Sequence, residues 1–161
     1  MKKPGFLVRM KGEGKISLVD PSDEIKQAYL QKSESNLASS KILLQNGRLE
    51  EAVALAYYSM YHALTALLFR TGIKSENHSA SIILLKRVFG LDNSEISYAK
   101  KERVDKQYYV DFKITESEVK DSVRKAESFN SGMIDFISRL TSESIAKSRE
   151  IFRKLTDDQK A

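Results

Sequence analysis

Between Ala52 and Phe69 the chain runs eighteen residues, AVALAYYSMYHALTALLF, without a formal charge. Apart from tyrosine hydroxyls, its polar side chains are Ser59, His62 and Thr65, with Arg70 just past the end. A helix of that length covers about 27 Å, close to the thickness of a bilayer core. The tyrosines and His62 in mid-segment and the charged flanks argue against a membrane span. One span would also leave the polar, periodic segments elsewhere unexplained. The run is therefore expected to be the central helix of a soluble bundle, apolar nearly all round and contacted on several faces. Ala52, Ala54, Ala56, Ala63 and Ala66 permit close approach of neighbouring helices, with exposure of one face to a second subunit as the alternative.

At 161 residues the chain suits one domain with one core. It has no cysteine, hence no disulfide or thiol nucleophile, and with two histidines a metal centre would rely on carboxylates. No metal or cofactor is expected. The lysines near the start are not followed by a secretory apolar run, so a cytoplasmic location is expected. A net charge of +5 favours approach to RNA or another polyanion. The charges are mixed, however, and the most basic stretch (Lys2, Lys3, Arg9, Lys11, Lys15) reads equally as a solvated arm.

Residues 1–19 form a poorly patterned N-terminal arm, with an extended piece near Phe6–Val8 as one option. Residues 20–140 read as the helical domain and 141–161 as its C-terminal helical extension. Asp20 as cap and Pro21 at the first helical position predict a first long helix to about Asn46, with Ile25, Ala28, Tyr29, Leu37, Ile42 and Leu44 as its apolar surface. Gly47 ends it. A second helix follows to about Thr71, closed by Gly72, then a loop and a third helix over His78–Phe89. Residues 94–107 read as a charged helix, and 107–114 as a loop in preference to a strand. Thr115 and Glu118 have capping-box spacing. Val119, Val123, Ala126, Asn130, Met133, Ile137 and Leu140 then give one apolar stripe with a polar interruption. A last helix is predicted over Ser142–Leu155. The fold class is all-α, an up-and-down bundle of four to five helices with short additional ones.

Glycine-rich phosphate loops, zinc signatures and hydrolase elbows are absent from the sequence. Asp20, Asp23 and Glu24 suit a helix start. His62 reads as a core or interface histidine. His78 opens a helix after a polar loop, where the helix end disfavours imidazolium and a neutral ring can act as a base or donate to phosphate. Arg70 suits the negative end of the second helix. RNA cleavage without a metal needs proton transfer at the 2′-hydroxyl and leaving oxygen, with positive charge beside the phosphate. Histidine and arginine supply these, so Arg70 and His78 are the candidate catalytic pair.

Residues 56–89, AYYSMYHALTALLFRTGIKSENHSASIILLKRVF, resemble the central helix, short loop and following helix start of HEPN-domain proteins. The resemblance is in particular to the small stand-alone group catalogued as UPF0332. Arg103, Asp105 and Tyr108 resemble a second element of that family, and the helix after Thr115 its closing helix. The resemblance implies a compact bundle that dimerises. It also implies metal-independent ribonucleases and toxins paired with small nucleotidyltransferase antitoxins, alongside copies without catalysis. Active members carry an arginine and a histidine separated by four to six residues, whereas seven separate Arg70 from His78. Lys74 and Asn77 are candidate RNA- or nucleotide-binding groups beside them. The resemblance thus implies an RNA-associated homodimer, alternatively a non-catalytic helical protein binding a nucleotidyltransferase or another partner.

Overall fold

The computed structural model describes residues 3–108 and 113–157, residues 105–108 by backbone only. Seven helices and two short strands follow in order: α1 Phe6–Gly12, β1 Ile16–Leu18, α2 Asp23–Gln45, α3 Leu49–Arg70, β2 Ile73–Ser75, α4 His78–Phe89, α5 Ser94–Tyr108, α6 Glu116–Ser138 and α7 Ser142–Thr156. Of the expected loop over 107–114, residues 107 and 108 instead continue α5, residues 113 and 114 are irregular as expected, and 109–112 lie outside the described residues.

The charge-free run is the spine of α3. Val53, Ala56, Tyr57, Met60, Ala63, Leu64, Leu67 and Leu68 are all essentially without solvent exposure. α2, α4, α5 and α6 pack around it, which is why nearly every face had to be apolar. By length and composition α3 qualifies as a membrane span, but its most apolar window is 72% buried inside the protein.

α2 and α3 form an antiparallel hairpin closed by Gly47, whose φ of 71° is the left-handed conformation a tight helix end requires. The contact face of α2 is the expected one in part: Tyr29, Leu37 and Leu44 pack against the core, whereas Ala28 is exposed. Ile25 and Ile42 point outward, 40% and 58% exposed, while buried Ser33 and Ser40 face α3. Ser40 donates to the carbonyl of Ala52 and Ser33 to that of Ser59, at 2.6 and 2.7 Å. Small hydroxyl side chains let the backbones approach and fill their own hydrogen-bonding needs doing so. The helix begins one turn-step later than predicted, with Ser22 rather than Asp20 as cap, accepting from the Ile25 amide.

α6 lays the predicted stripe on α2 and α3, with Val119, Val123, Ala126, Met133 and Ile137 buried. Thr115 caps it, accepting from the Glu118 amide. Asn130 interrupts the stripe because its amide donates to Ser59 Oγ at 3.1 Å. Three helices therefore meet at one buried polar node.

The N-terminal residues differ most from expectation. Phe6–Val8, offered as extended, lie in α1, and Leu7 and Met10 join the core. After Gly14 the chain enters β1, which pairs antiparallel with β2 (Ile16 opposite Ser75, Leu18 opposite Ile73). Ile16 and Ile73 are buried, so the ribbon closes one end of the bundle. From α7, Arg149 reaches across to donate to the carbonyls of Val19, Gly72 and Thr71 at 2.7, 2.9 and 3.3 Å.

Candidate functional site

Asn77 caps α4, its side-chain oxygen accepting from the Ala80 amide at 2.8 Å, so His78 projects from the first residue of a fixed helix. The adjoining turn is tied to the ribbon: Ser81 Oγ lies 2.8 Å from Ser75 Oγ and 3.2 Å from the Tyr61 hydroxyl. The imidazole meets two tyrosines that stand one turn apart on α3. Its ring stacks on Tyr61 with centroids 3.7 Å apart, and Nδ1 is 2.7 Å from the Tyr57 hydroxyl.

The tautomer of His78 follows from its surroundings. Tyr57 has no exposed surface, and its hydroxyl has no other hydrogen-bond partner among the described residues. Burial pushes its phenol well above the usual range, with Tyr61 adding to the effect, so it keeps its proton. That proton goes to His78 Nδ1, leaving the neutral ring with its own proton on Nε2. Burial, then the charges of Arg103 and Lys100, hold the imidazole below the ordinary histidine range. At neutral pH His78 is thus an oriented, uncharged hydrogen-bond donor.

α5 brings cations to this place. The Arg103 guanidinium sits over the rings of Tyr57 and Tyr58, 5.2 and 5.3 Å from their centroids, and donates to the Tyr58 hydroxyl at 3.1 Å. Cation–π contact fixes its plane. Lys100, one turn earlier, donates to Ser79 Oγ at 2.5 Å. On the far side of Lys100 from Arg103 and His78, neither of which lines it, Ser79, Ile82, Ile83, Ser97, Lys101 and Val104 complete a separate cavity of about 430 Å³. A neutral donor, a guanidinium and an ammonium within electrostatic reach of one another are groups suited to the oxygens of a phosphate ester.

The remaining candidate residues lie elsewhere. Arg70 is thirteen residues beyond Tyr57, about 20 Å along the α3 axis. There it pairs with Asp23 of α2 at 3.7 Å. Within one chain the structure brings His78 to Arg103, not to Arg70. Lys74 is exposed on β2 and pairs with Glu76 at 3.2 Å, and Asn77 is occupied as the cap. His62 lies half-buried between Tyr58 and Tyr29, its Nδ1 without a hydrogen-bond partner among the described residues. Among those residues no group of three or more His, Cys, Asp or Glu is placed to hold a metal ion.

Tyr57, Tyr61 and Lys100 were not singled out as site residues from sequence. Spacing of four between Tyr57 and Tyr61 shows that the two rings share a helix face, but nothing in the sequence says that His78 returns to that face.

A central apolar helix wrapped by antiparallel neighbours, with a histidine on the following helix turned back against it, is the arrangement of a HEPN-type bundle. The HEPN domain family matches residues 27–134, about two thirds of the sequence, and the chain belongs to that family. It is similar to a UPF0332 protein of Pyrococcus horikoshii, 40% identical over 73 residues that span 45% of this chain and 48% of that protein. A UPF0332 protein of Thermotoga maritima is 29% identical over 76% of this chain and 95% of its own length. A candidate toxin of Methanocaldococcus jannaschii is 31% identical over 68% of this chain and 86% of its own.

Proposed function

We propose that this HEPN protein engages RNA and cleaves its backbone without a metal ion, as the toxin of a toxin–antitoxin pair. The observation that carries the reading is the Tyr57–His78 hydrogen bond, which leaves Nε2–H as the open donor of a ring that feels the charges of Arg103 and Lys100. In the reaction the 2′-oxygen attacks phosphorus and the bond to the 5′-oxygen breaks. Negative charge grows on the non-bridging oxygens, where His78, Arg103 and Lys100 stabilise it. The proton released at the 2′-hydroxyl passes to solvent, and the 5′-oxygen takes one from solvent. Tyr57 does not relay protons, since its phenol is held too weakly acidic.

The likeness to a candidate toxin adds support at the level of family. We include in the proposal a cytoplasmic homodimer and a nucleotidyltransferase partner. A second reading, a non-catalytic helical protein that binds such a partner, draws on the separation of Arg70 from His78 and on outward Ile25, Ile42 and Ile134.

The test is cleavage of single-stranded RNA by the purified protein in excess chelator. Cleavage is expected, with His78→Ala and Arg103→Ala each lowering it about a hundredfold or more while melting temperature stays near that of the parent. If the parent protein leaves RNA intact yet copurifies with a nucleotidyltransferase, the second reading takes its place.

A further inference from the structure

α3 is covered on all sides but one. Within its charge-free run Ala54, Leu55, Tyr58, His62 and Phe69 alone retain partial exposure, a single stripe along the helix. Tyr29 of α2 lies against that stripe and completes a row of rings. Tyr58 stacks on His62 with centroids 6.5 Å apart, His62 lies 5.7 Å from Tyr29, and Tyr29 stacks on Phe69 at 5.6 Å with planes 6° apart. At its upper end Tyr58 is 5.6 Å from Tyr57 and hence adjoins the His78 site.

Cations accompany the rings. Arg103 covers Tyr58, the Lys32 ammonium lies 5.6 Å over Tyr29, and Arg70 follows Phe69. No carboxylate arises from α3 along the row, and Glu34 of α2 lines a different groove, against α6. Among the described residues, Asp23, paired with Arg70 and Lys26, is an acid at the lower end. The row from Tyr58 to Phe69 spans about 16 Å.

We infer that this row is a track for single-stranded RNA, its rings stacking on bases and its cations following the phosphates, leading from the Arg103–His78 site to Arg70. The inference rests on the RNA reading above and names the path the strand takes. Rings interleaved with cations are what sequence-tolerant single-strand binding requires. A second copy of the chain fits less well, because a cationic surface placed against itself across a two-fold axis repels. The track also gives Arg70 a part to play: it meets the strand one helix length away from the reacting phosphate.

The test is fluorescence anisotropy with a labelled 2′-O-methyl oligouridylate, which lacks the attacking hydroxyl, and with a matched RNA duplex. Tyr29→Leu and Phe69→Leu preserve apolar volume and remove the stacking face. Each is expected to weaken binding of the single strand by roughly five- to a hundredfold. Lys32→Glu, on an exposed side chain, should reduce the salt dependence of binding by about 0.7 in the log–log slope. The equal charge change Lys154→Glu on α7 should affect it less. Parental affinity in both ring variants, with cleavage intact, overturns the track and leaves the ribonuclease reading standing. Equal affinity of the parent for duplex overturns it as well. So does sedimentation in which the ring variants split a dimer at unchanged RNA affinity, for the row is then a subunit seam. A parent protein that binds no RNA removes the track and the function together.

Discussion

At the scale of single residues, the two histidines couple folding to acid in the same direction. Burial lowers the affinity of both His62 and His78 for a proton, Lys32 adding to the effect at His62 and Arg103 and Lys100 at His78. A histidine whose folded value lies below its unfolded one binds fewer protons when folded. Its stabilising contribution is complete above the unfolded value of about 6.5 and is lost as pH falls below it. The melting temperature should therefore be flat from about pH 8 to 7 and decline between about 6.5 and 5, before most carboxylates titrate. Combined substitution of both histidines by glutamine should flatten that decline, and an unchanged slope would refute the assignment. Tyr57→Phe tests the tautomer separately. Without the phenol proton at Nδ1 the ring is free to carry its own proton on either nitrogen, and cleavage should drop several-fold with little change in RNA affinity. His78 was legible as a candidate because it opens a helix after a polar loop. Its partner was not: the nearest arginine in sequence was Arg70, whereas the one in space arrives from α5, 25 residues further on.

Among the helices, legibility followed how each buries its surface. α3 and α6 bury apolar side chains, so a charge-free run and an alternating four-and-three stripe mark them plainly. α2 fully buries hydroxyls, and a search for apolar periodicity selects Tyr29, Leu37 and Leu44, which pack on the core, together with Ile25 and Ile42, which face solvent. Serine at a helix–helix contact carries no hydrophobic signal, because its role is to be small and self-satisfied. Replacing Ser40 by leucine should thus be worse than its apparent conservatism for a helix suggests. It wedges the α2–α3 backbones apart at Ala52 and removes the hydrogen bond to that carbonyl, for about 2–4 kcal/mol of lost stability by chemical denaturation. Ile42→Ser, on the outward face, should change stability by less than about 0.5 kcal/mol. Comparable losses in the two variants would show that the face has been assigned backwards.

For the whole molecule, the family match covers residues 27–134 and leaves α1, β1 and α7 outside it. Those peripheral pieces close the lower end of the bundle on one another. Gly72 ends α3 at a φ of 75°, and a side chain there would strike Arg149, the Val19 carbonyl and Pro21. Gly72→Ala is expected to cost more than about 1–2 kcal/mol, from backbone conformation and crowding together. Arg149→Ala, which strands half-buried carbonyls, should cost about 1–3 kcal/mol. Both variants should lower the melting temperature, and the combined variant should lose less than their sum, since they damage one contact. Gly72 was legible as the stop of α3, but the rest of this end was not: three-residue strands, 57 residues apart, offer no periodicity, and Arg149 reads as an ordinary surface charge of α7.

The rings around the candidate site have one more consequence. The sequence contains no tryptophan, and four of its seven tyrosines (Tyr29, Tyr57, Tyr58 and Tyr61) belong to the contiguous aromatic row and the His78 contact. Fixed phenol rings at such separations exchange excitation and impose a sense of rotation on absorbed light. The near-ultraviolet dichroism and tyrosine emission of this protein are therefore dominated by the one region proposed to touch RNA. Strand entry, titration of His78 and displacement of Arg103 can each be followed optically, in the native chain, with no dye attached.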